Sequence, residues 1–375
     1  MHVLALAAGV LLIGIVLWDA FETVVLPRRA TFRFRLTRFF YGAIWPPYAS
    51  VGRRIRNRLT QENFLSFFGP GSLILLLALW ALFLVFGFAL LHFGFGSHLK
   101  GPPELQGFAE DFYMSGTTFF TLGLGDVVPT TTLGRILTDI EAGTGFGFLA
   151  LIISFLPVLS QSFSRREVAV ALLDARAGSP PTATEMLRRH TIEERGAALI
   201  QFFSDWERWS AELLEGHISF PVLAFYRSQH DNQSWVGALT AVLDTCSLVI
   251  AGIEGAPVRS ARFTFAMARH AVADLTGVLG LRPAGDGDRL PPSELARLRT
   301  ALAASGMPLP EDPSADERLK HLRSQYEPYA LALSRFLLMP LPPWLPPEGA
   351  KDNWQNTDRM RALSGFGPIP PARHP

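Results

Sequence analysis

Three runs of this sequence are apolar for long enough to cross a bilayer, and nothing else in it narrows the fold as far. A helix rises 1.5 Å per residue, so about 20 mostly apolar residues span the hydrocarbon core. Residues 3–26, 73–95 and 133–163 all meet that length. The first reads VLALAAGVLLIGIVLW and then DAFETVVL, the second is dense in Leu and Phe, and the third carries Asp139, Glu141 and Pro157. A cleaved signal peptide fits the first run poorly, because no basic region precedes it and no small-residue cleavage site follows. Charged residues are 18% of the 375, against about 25% in an ordinary soluble protein. The deficit lies in these runs, and charge returns to normal density after residue 163. A hydrophobic share of 49% excludes disorder, and the single cysteine, Cys246, excludes a disulfide scaffold. A net charge of +1 gives no pull toward nucleic acid, and none is expected as a partner.

Orientation follows from where the arginines lie. The connection between the first two runs holds Arg28, Arg29, Arg33, Arg35, Arg38, Arg53, Arg54, Arg56 and Arg58, with Glu62 its only acid. The next connection has Lys100 against Glu104, Glu110, Asp111 and Asp126, and Arg165 and Arg166 follow the third run. The expectation is an integral membrane protein with its N-terminus outside and a large cytoplasmic C-terminal part. The basic connection, residues 27–69, includes TFRFRLTRFFYGAIW, which suits a helix in the headgroup layer. Alternation at Phe32, Phe34 and Leu36 suits a strand instead, and Pro46 and Pro47 are expected to end the element.

Between the second and third runs stands FAEDFYMSGTTFFTLGLGDVVPTTTLGR. Residues 109–120 are too few to span and too apolar for a solvated loop, which is the signature of a re-entrant segment. Glu110 and Asp111 open it, where negative charge complements a helix N-terminus. Irregular backbone at membrane depth is tolerated only when buried in protein or lining an aqueous path. Glycines at alternate positions, Gly123 and Gly125, allow left-handed dihedrals. Successive carbonyls can then face one axis and replace the hydration shell of an ion.

These residues resemble the pore of potassium channels, in the group with one pore loop per subunit. Thr121, Gly123, Leu124, Gly125 and Asp126 match the filter pattern Thr-x-Gly-[Tyr/Phe/Leu]-Gly-Asp. Pro129, Thr132, Gly134 and Arg135 match the run that opens the inner helix. The resemblance covers roughly residues 70–163. It implies a selectivity filter of Thr121, Leu122, Gly123, Leu124, Gly125 and Asp126. Ser115, Thr117 and Thr118 fall in its pore-helix support, and Gly145 stands at the position of the family's inner-helix hinge. Potassium is the implied permeant ion, with no cofactor. One loop per chain implies a homotetramer in membrane lipid, since such a filter needs four loops. Leu124 stands where the usual filter has tyrosine and brings no hydroxyl, which bears on how strictly sodium is refused. No arginine-rich helix lies within a span, so voltage sensing by that device is not expected.

Two acids in the inner helix need partners at membrane depth. Asp139 lies one turn beyond Arg135 and is expected to pair with it. Asp139 and Glu141 are about 200° apart on a helix, so Glu141 takes another face. There it either braces the filter, accepting from Ser115, Thr117 or Tyr113, or concentrates cations in the cavity. Gly143, Gly145 and Gly147 loosen the helix, unless they serve close packing, and Pro157 is expected to bend it near its inner end.

The whole is read as all-α: residues 1–26 a transmembrane helix, 27–69 the basic linker, 70–163 the pore domain, 164–340 a helical cytoplasmic domain and 341–375 a proline-rich tail. Within the pore domain the expected parts are an outer helix 71–95, pore helix 109–120, filter 121–126 and inner helix 133–163. Cytoplasmic helices are expected at 165–177, 191–217, 233–253, 261–281, 293–304 and 316–338, with Thr191 and Glu194 as a capping box. Phe202, Phe203, Trp206 and Trp209 are spaced as a core face, and Cys246 as a buried thiol. Asp205, Glu212, Glu215, His217, His230 and His270 match no metal-ligand spacing, so no metal is expected. Gly285 and Gly287 form no dinucleotide fingerprint. The reading is a channel whose opening the cytoplasmic domain biases. A membrane-anchored sensor or enzyme is the alternative, but no nucleophile triad, phosphate loop or metal set supports it.

Overall fold

The structure, a computed structural model, describes residues 2–26, 36–190, 196–229, 232–285 and 287–349. Arg28, Arg29, Arg33, Arg35, Phe32, Phe34, Thr191, Glu194, His230 and the tail from 350 onward lie outside the described residues. Contacts divide the chain into two compact units, residues 1–161 and 162–375.

The first unit is helical, apart from one pair of two-residue strands. Its elements are α1 (His2–Ala20, followed by a π-helical turn Phe21–Val25), α2 (Leu36–Arg54), α3 (Arg58–Ser66), α4 (Phe68–Phe95), β1 (Leu99–Lys100), α5 (Phe108–Phe119), β2 (Val128–Pro129) and the start of α6 (Thr132–Ala177). Three helical stretches are long and apolar enough to cross a membrane: His2–Val25, Arg58–Phe95 and Thr132–Ala177. The fold class is thus that of an all-α membrane protein with three such stretches.

Helix α1 lies antiparallel on α4. His2 stacks on Phe93 at one end, and Asp19 accepts the Trp80 indole N–H at 3.0 Å at the other. Glycine lets the backbones touch midway, where a Cβ on Gly9 would sit 2.8 Å from the Gly87 carbonyl oxygen. Asp19 also takes the Thr37 N–H and hydroxyl, at 3.1 and 2.6 Å, so one buried carboxylate ties α1, α2 and α4 together.

Pro46 and Pro47 do not end α2, which runs through them to Arg54. An interior proline costs a helix about 3 kcal/mol, and aromatic packing offsets it here. Trp45 is buried with its ring 4.7 Å from that of Phe68, Tyr48 stacks on Phe64 at 4.3 Å, and the Tyr48 hydroxyl donates to the Phe64 carbonyl at 2.5 Å.

The second unit is a bundle around α9 (Trp235–Ala251), a helix apolar on all sides and buried on nearly every residue. The end of α6, α7 (Ala183–Arg189), α8 (Ala197–Ser219), α10 (Val258–Val278), α11 (Pro292–Ala304), α12 (Pro313–Ser324) and α13 (Glu327–Leu337) complete the unit. The helix expected over 316–338 is two, because Pro328 in the first turn of α13 starts a new helix after the buried Tyr326. Phe202, Phe203, Trp206 and Trp209 are core, and Cys246 is a buried free thiol.

The one acid on α9, Asp244, is buried and fully partnered. Arg289 grips it through both carboxylate oxygens at 2.9 and 2.7 Å, and the Tyr326 hydroxyl donates at 2.5 Å. Burial works against the Arg289 charge, but Asp244 outweighs it and raises the guanidinium further. Near the beginning of the unit, Arg166 donates to the carbonyls of Leu223 and Tyr226 at 2.8 and 2.9 Å. Burial first, and Arg166 beside it second, push His217 down to about 3.

Candidate functional site

The site is built from α5 and the loop after it, held between α4 and α6. Glu110 and Asp111 lie in the first turn of α5, where the helix dipole favours them. The helix stops at Phe119, and its last carbonyls bind the loop rather than a further turn. Thr117 carbonyl accepts the N–H groups of Leu122 and Gly123, at 2.8 and 3.3 Å, and Thr118 carbonyl accepts that of Thr121 at 2.9 Å. Beyond that anchor, every second residue is left-handed: Thr121 has φ +57°, Gly123 +56° and Gly125 +77°. Glycine takes such angles freely, whereas a β-branched residue resists them, so Thr121 is strained.

The far end of the loop is fastened twice. The Tyr113 hydroxyl, from α5, donates to Asp126 at 2.8 Å. Then β2 pairs antiparallel with β1, Leu99 opposite Pro129 and Lys100 opposite Val128. Thr130 gives its N–H and hydroxyl to the His98 carbonyl, and Thr131 caps α6 by accepting the Gly134 N–H at 3.1 Å. The loop is thereby a closed feature with two fixed ends and an exposed middle from Thr121 to Asp126.

The family model described as "Ion channel" matches residues 75–159, which run from α4 through the loop into α6. Two-pore potassium channel 4 of Arabidopsis thaliana is 36% identical over 98 residues, 26% of this chain and 33% of that protein. Residues 75–159 thus carry an ion-channel domain. The uncharacterized membrane protein YdjJ of Bacillus subtilis (strain 168) is 27% identical over 187 residues, 49% of this chain and 53% of that one. The match thus spans about half of one of these curated relatives and a third of the other. No solved structure matches the chain.

Within this ion-channel domain the expected support residues divide. Thr117 and Thr118 hold the loop through their carbonyls, and the Thr117 hydroxyl turns back to the Met114 carbonyl at 2.9 Å. Ser115 is completely buried beside Glu141. Gly145 is a contact point: a Cβ there would lie 2.0 Å from the Phe119 carbonyl oxygen. Helix α6 runs without a break through Pro157.

The pairing of Asp139 with Arg135 is not found among the described residues. Arg135 instead turns back to donate to the Pro129 carbonyl at 3.3 Å, which leaves Asp139 exposed. Glu141 is sealed from solvent, and its partner is His92 of α4, at 3.3 Å. Neither Thr117 nor Tyr113 reaches it; they bond to Met114 and Asp126. His92 is the site residue that sequence reasoning passed over, since one histidine in an apolar helix resembles a core residue. Its position four residues before a helix-ending glycine, Gly96, was the available signal. The acids and histidines of the second unit assemble no metal cluster among the described residues. His217 is bonded to Arg166 and to the Leu213 carbonyl, while His270 faces Asp274 at 3.5 Å.

Proposed function

We propose that this chain is one subunit of a homotetrameric, potassium-selective channel, with Thr121, Leu122, Gly123, Leu124, Gly125 and Asp126 as its filter. The observation that carries the reading is the alternation of left-handed residues at 121, 123 and 125, directly after a short helix between two long apolar ones. A strand of alternating handedness aims successive carbonyls the same way, and rings of carbonyls substitute for the water around a potassium ion. One such strand surrounds nothing. Four copies about a common axis enclose the ion, and closed cyclic symmetry is how identical subunits do this.

Leu124 contributes its carbonyl but no hydroxyl. Bracing of the filter's outer end rests on Tyr113 and Asp126 instead. The arginines of the first connection support a cytoplasmic location for it, hence an external N-terminus and a cytoplasmic second unit. The antiparallel run of α1 on α4 agrees with two successive crossings. The second unit biases opening, receiving or imposing motion through the residues that follow the third crossing. Membrane lipid surrounds the assembly, and no cofactor takes part.

The test is flux in liposomes containing the purified full-length protein. Wild type is expected to pass potassium in preference to sodium, and Gly123→Ala to lose that preference while remaining tetrameric, because alanine resists φ +56°. Potassium selectivity that survived Gly123→Ala would refute the filter assignment.

A further inference from the structure

Four polar side chains from four segments of the channel domain are buried together. Ser97 is 2% exposed, and His92, Glu141 and Ser115 are at 0%. His92 Nδ1 lies 2.9 Å from Ser97 Oγ, and its Nε2 lies 3.3 Å from Glu141 Oε2. The other carboxyl oxygen, Oε1, and the Ser115 hydroxyl make no well-aligned hydrogen bond in the described residues. The two groups are nevertheless close enough for Ser115 to act on the Glu141 carboxyl. The turn after α4 builds the first link: Gly96 ends the helix left-handed, and the Ser97 N–H returns to the His92 carbonyl at 3.1 Å.

With Glu141 ionised, the donors and acceptors fit in one direction only. A buried carboxylate is kept by the donors that reach it. A neutral imidazole has one N–H and one bare nitrogen. With the hydrogen on Nε2, the ring donates to Glu141 and its Nδ1 accepts from the Ser97 hydroxyl. The opposite tautomer would set a bare nitrogen against the carboxylate oxygen. The Ser115 hydroxyl acts on the same carboxyl from α5. Two helices and a turn thus converge on one carboxylate of α6.

We propose that His92 is a positioning residue for the filter, acting through Glu141 and Ser115 on α5. The inference rests on reading residues 121–126 as the filter. Ser115 stands two residues before Thr117, whose carbonyl anchors the Leu122 and Gly123 amides. Gly145, one turn along α6 from Glu141, meets the Phe119 carbonyl at the end of α5. The last turn of α5 is therefore set from two points on α6, and His92 fixes the first of them to α4. Ser97 extends the link outward, since its carbonyl accepts the Thr131 hydroxyl at 3.3 Å on the segment leaving the filter.

The experiment compares full-length wild type, His92→Leu, His92→Gln and Ser115→Ala in liposomes, reading the potassium-to-sodium permeability ratio from reversal potentials. A ratio does not change when fewer molecules are active, so simple loss of folded protein leaves it alone. His92→Leu is expected to lower the ratio about tenfold, equivalent to about 1.4 kcal/mol. His92→Gln, which keeps an N–H donor, is expected to restore most of it. A wild-type ratio in His92→Leu overturns the proposal. Should that variant not assemble, Ser115→Ala decides on the same criterion, because it removes a single hydroxyl: a lowered ratio supports the proposal and a wild-type ratio overturns it. A wild type that passes no potassium overturns the filter reading itself, and with it this inference, before any variant is compared.

Discussion

Replacing Gly145 by alanine separates a packing role from a hinge role. The added Cβ would sit 2.0 Å from the Phe119 carbonyl oxygen, 2.8 Å from its carbon and 3.0 Å from its Cα. Carbon and oxygen approach to about 3.3 Å at closest without strong repulsion, so more than an ångström of separation must be made. All three atoms are backbone, so no side-chain rotation relieves the clash. Either α6 moves away, or the end of α5 does and carries Phe120 and Thr121 with it. Overpacking of this kind costs about 1–3 kcal/mol and occasionally more, and each kcal/mol lowers an unfolding midpoint by roughly 2–4 °C in a large domain. Thermal unfolding in detergent, followed by tryptophan fluorescence, reads the stability, and liposome flux reads the 121–126 loop proposed as the filter. Gly143→Ala and Gly147→Ala are the controls, because a Cβ at either meets nothing within 4 Å. Those two should gain about 1 kcal/mol of helix propensity and conduct normally. A wild-type midpoint and flux in Gly145→Ala would refute the packing argument. Equal damage from all three alanines would favour a hinge.

Acid should weaken the second unit through His217. Its folded value of about 3 lies below the ordinary 6.5, so below pH 6.5 the unfolded chain takes a proton that the folded chain refuses, and stability falls from there toward pH 3. At pH 5 the loss is about 2 kcal/mol, and unfolding midpoints between pH 7.5 and 5 should show a slope that His217→Gln flattens. Asp244→Asn leaves Arg289 buried with its charge uncompensated on that side and should cost about 3–5 kcal/mol. Asp244→Leu combined with Arg289→Met should recover much of that loss in the same unfolding assay, and a single substitution costing under about 1 kcal/mol would contradict the buried-pair account. Tyr113→Phe removes the hydrogen bond to Asp126 and should lower the potassium-to-sodium ratio in reversal-potential measurements without changing the unfolding midpoint by more than a few degrees.

What the residues alone determined is what depends on neighbours along the chain. Apolar length marks a crossing, alternate glycines mark a backbone able to turn left-handed, and acids ahead of an apolar stretch mark the start of α5. Helical spacing likewise placed Phe202, Phe203, Trp206 and Trp209 in a core. Where the outcome depended on a partner far off in the sequence, the tertiary structure decided. Pro46 and Pro47 have the local chemistry of a helix end, yet edge-on packing of Trp45 against Phe68 and stacking of Tyr48 on Phe64 keep the helix going. Arg135 and Asp139 have the spacing of a helical ion pair, but the Pro129 carbonyl, just after the 121–126 loop, takes the arginine. Glu141, a fully buried acid, demanded a donor. That the donor is His92, 49 residues earlier, follows only once α4 and α6 lie side by side. Asp244 and Arg289 meet across 45 residues for the same reason. A buried charge must be matched, so sequence announces the need; packing, which brings distant side chains within hydrogen-bond reach, selects the partner.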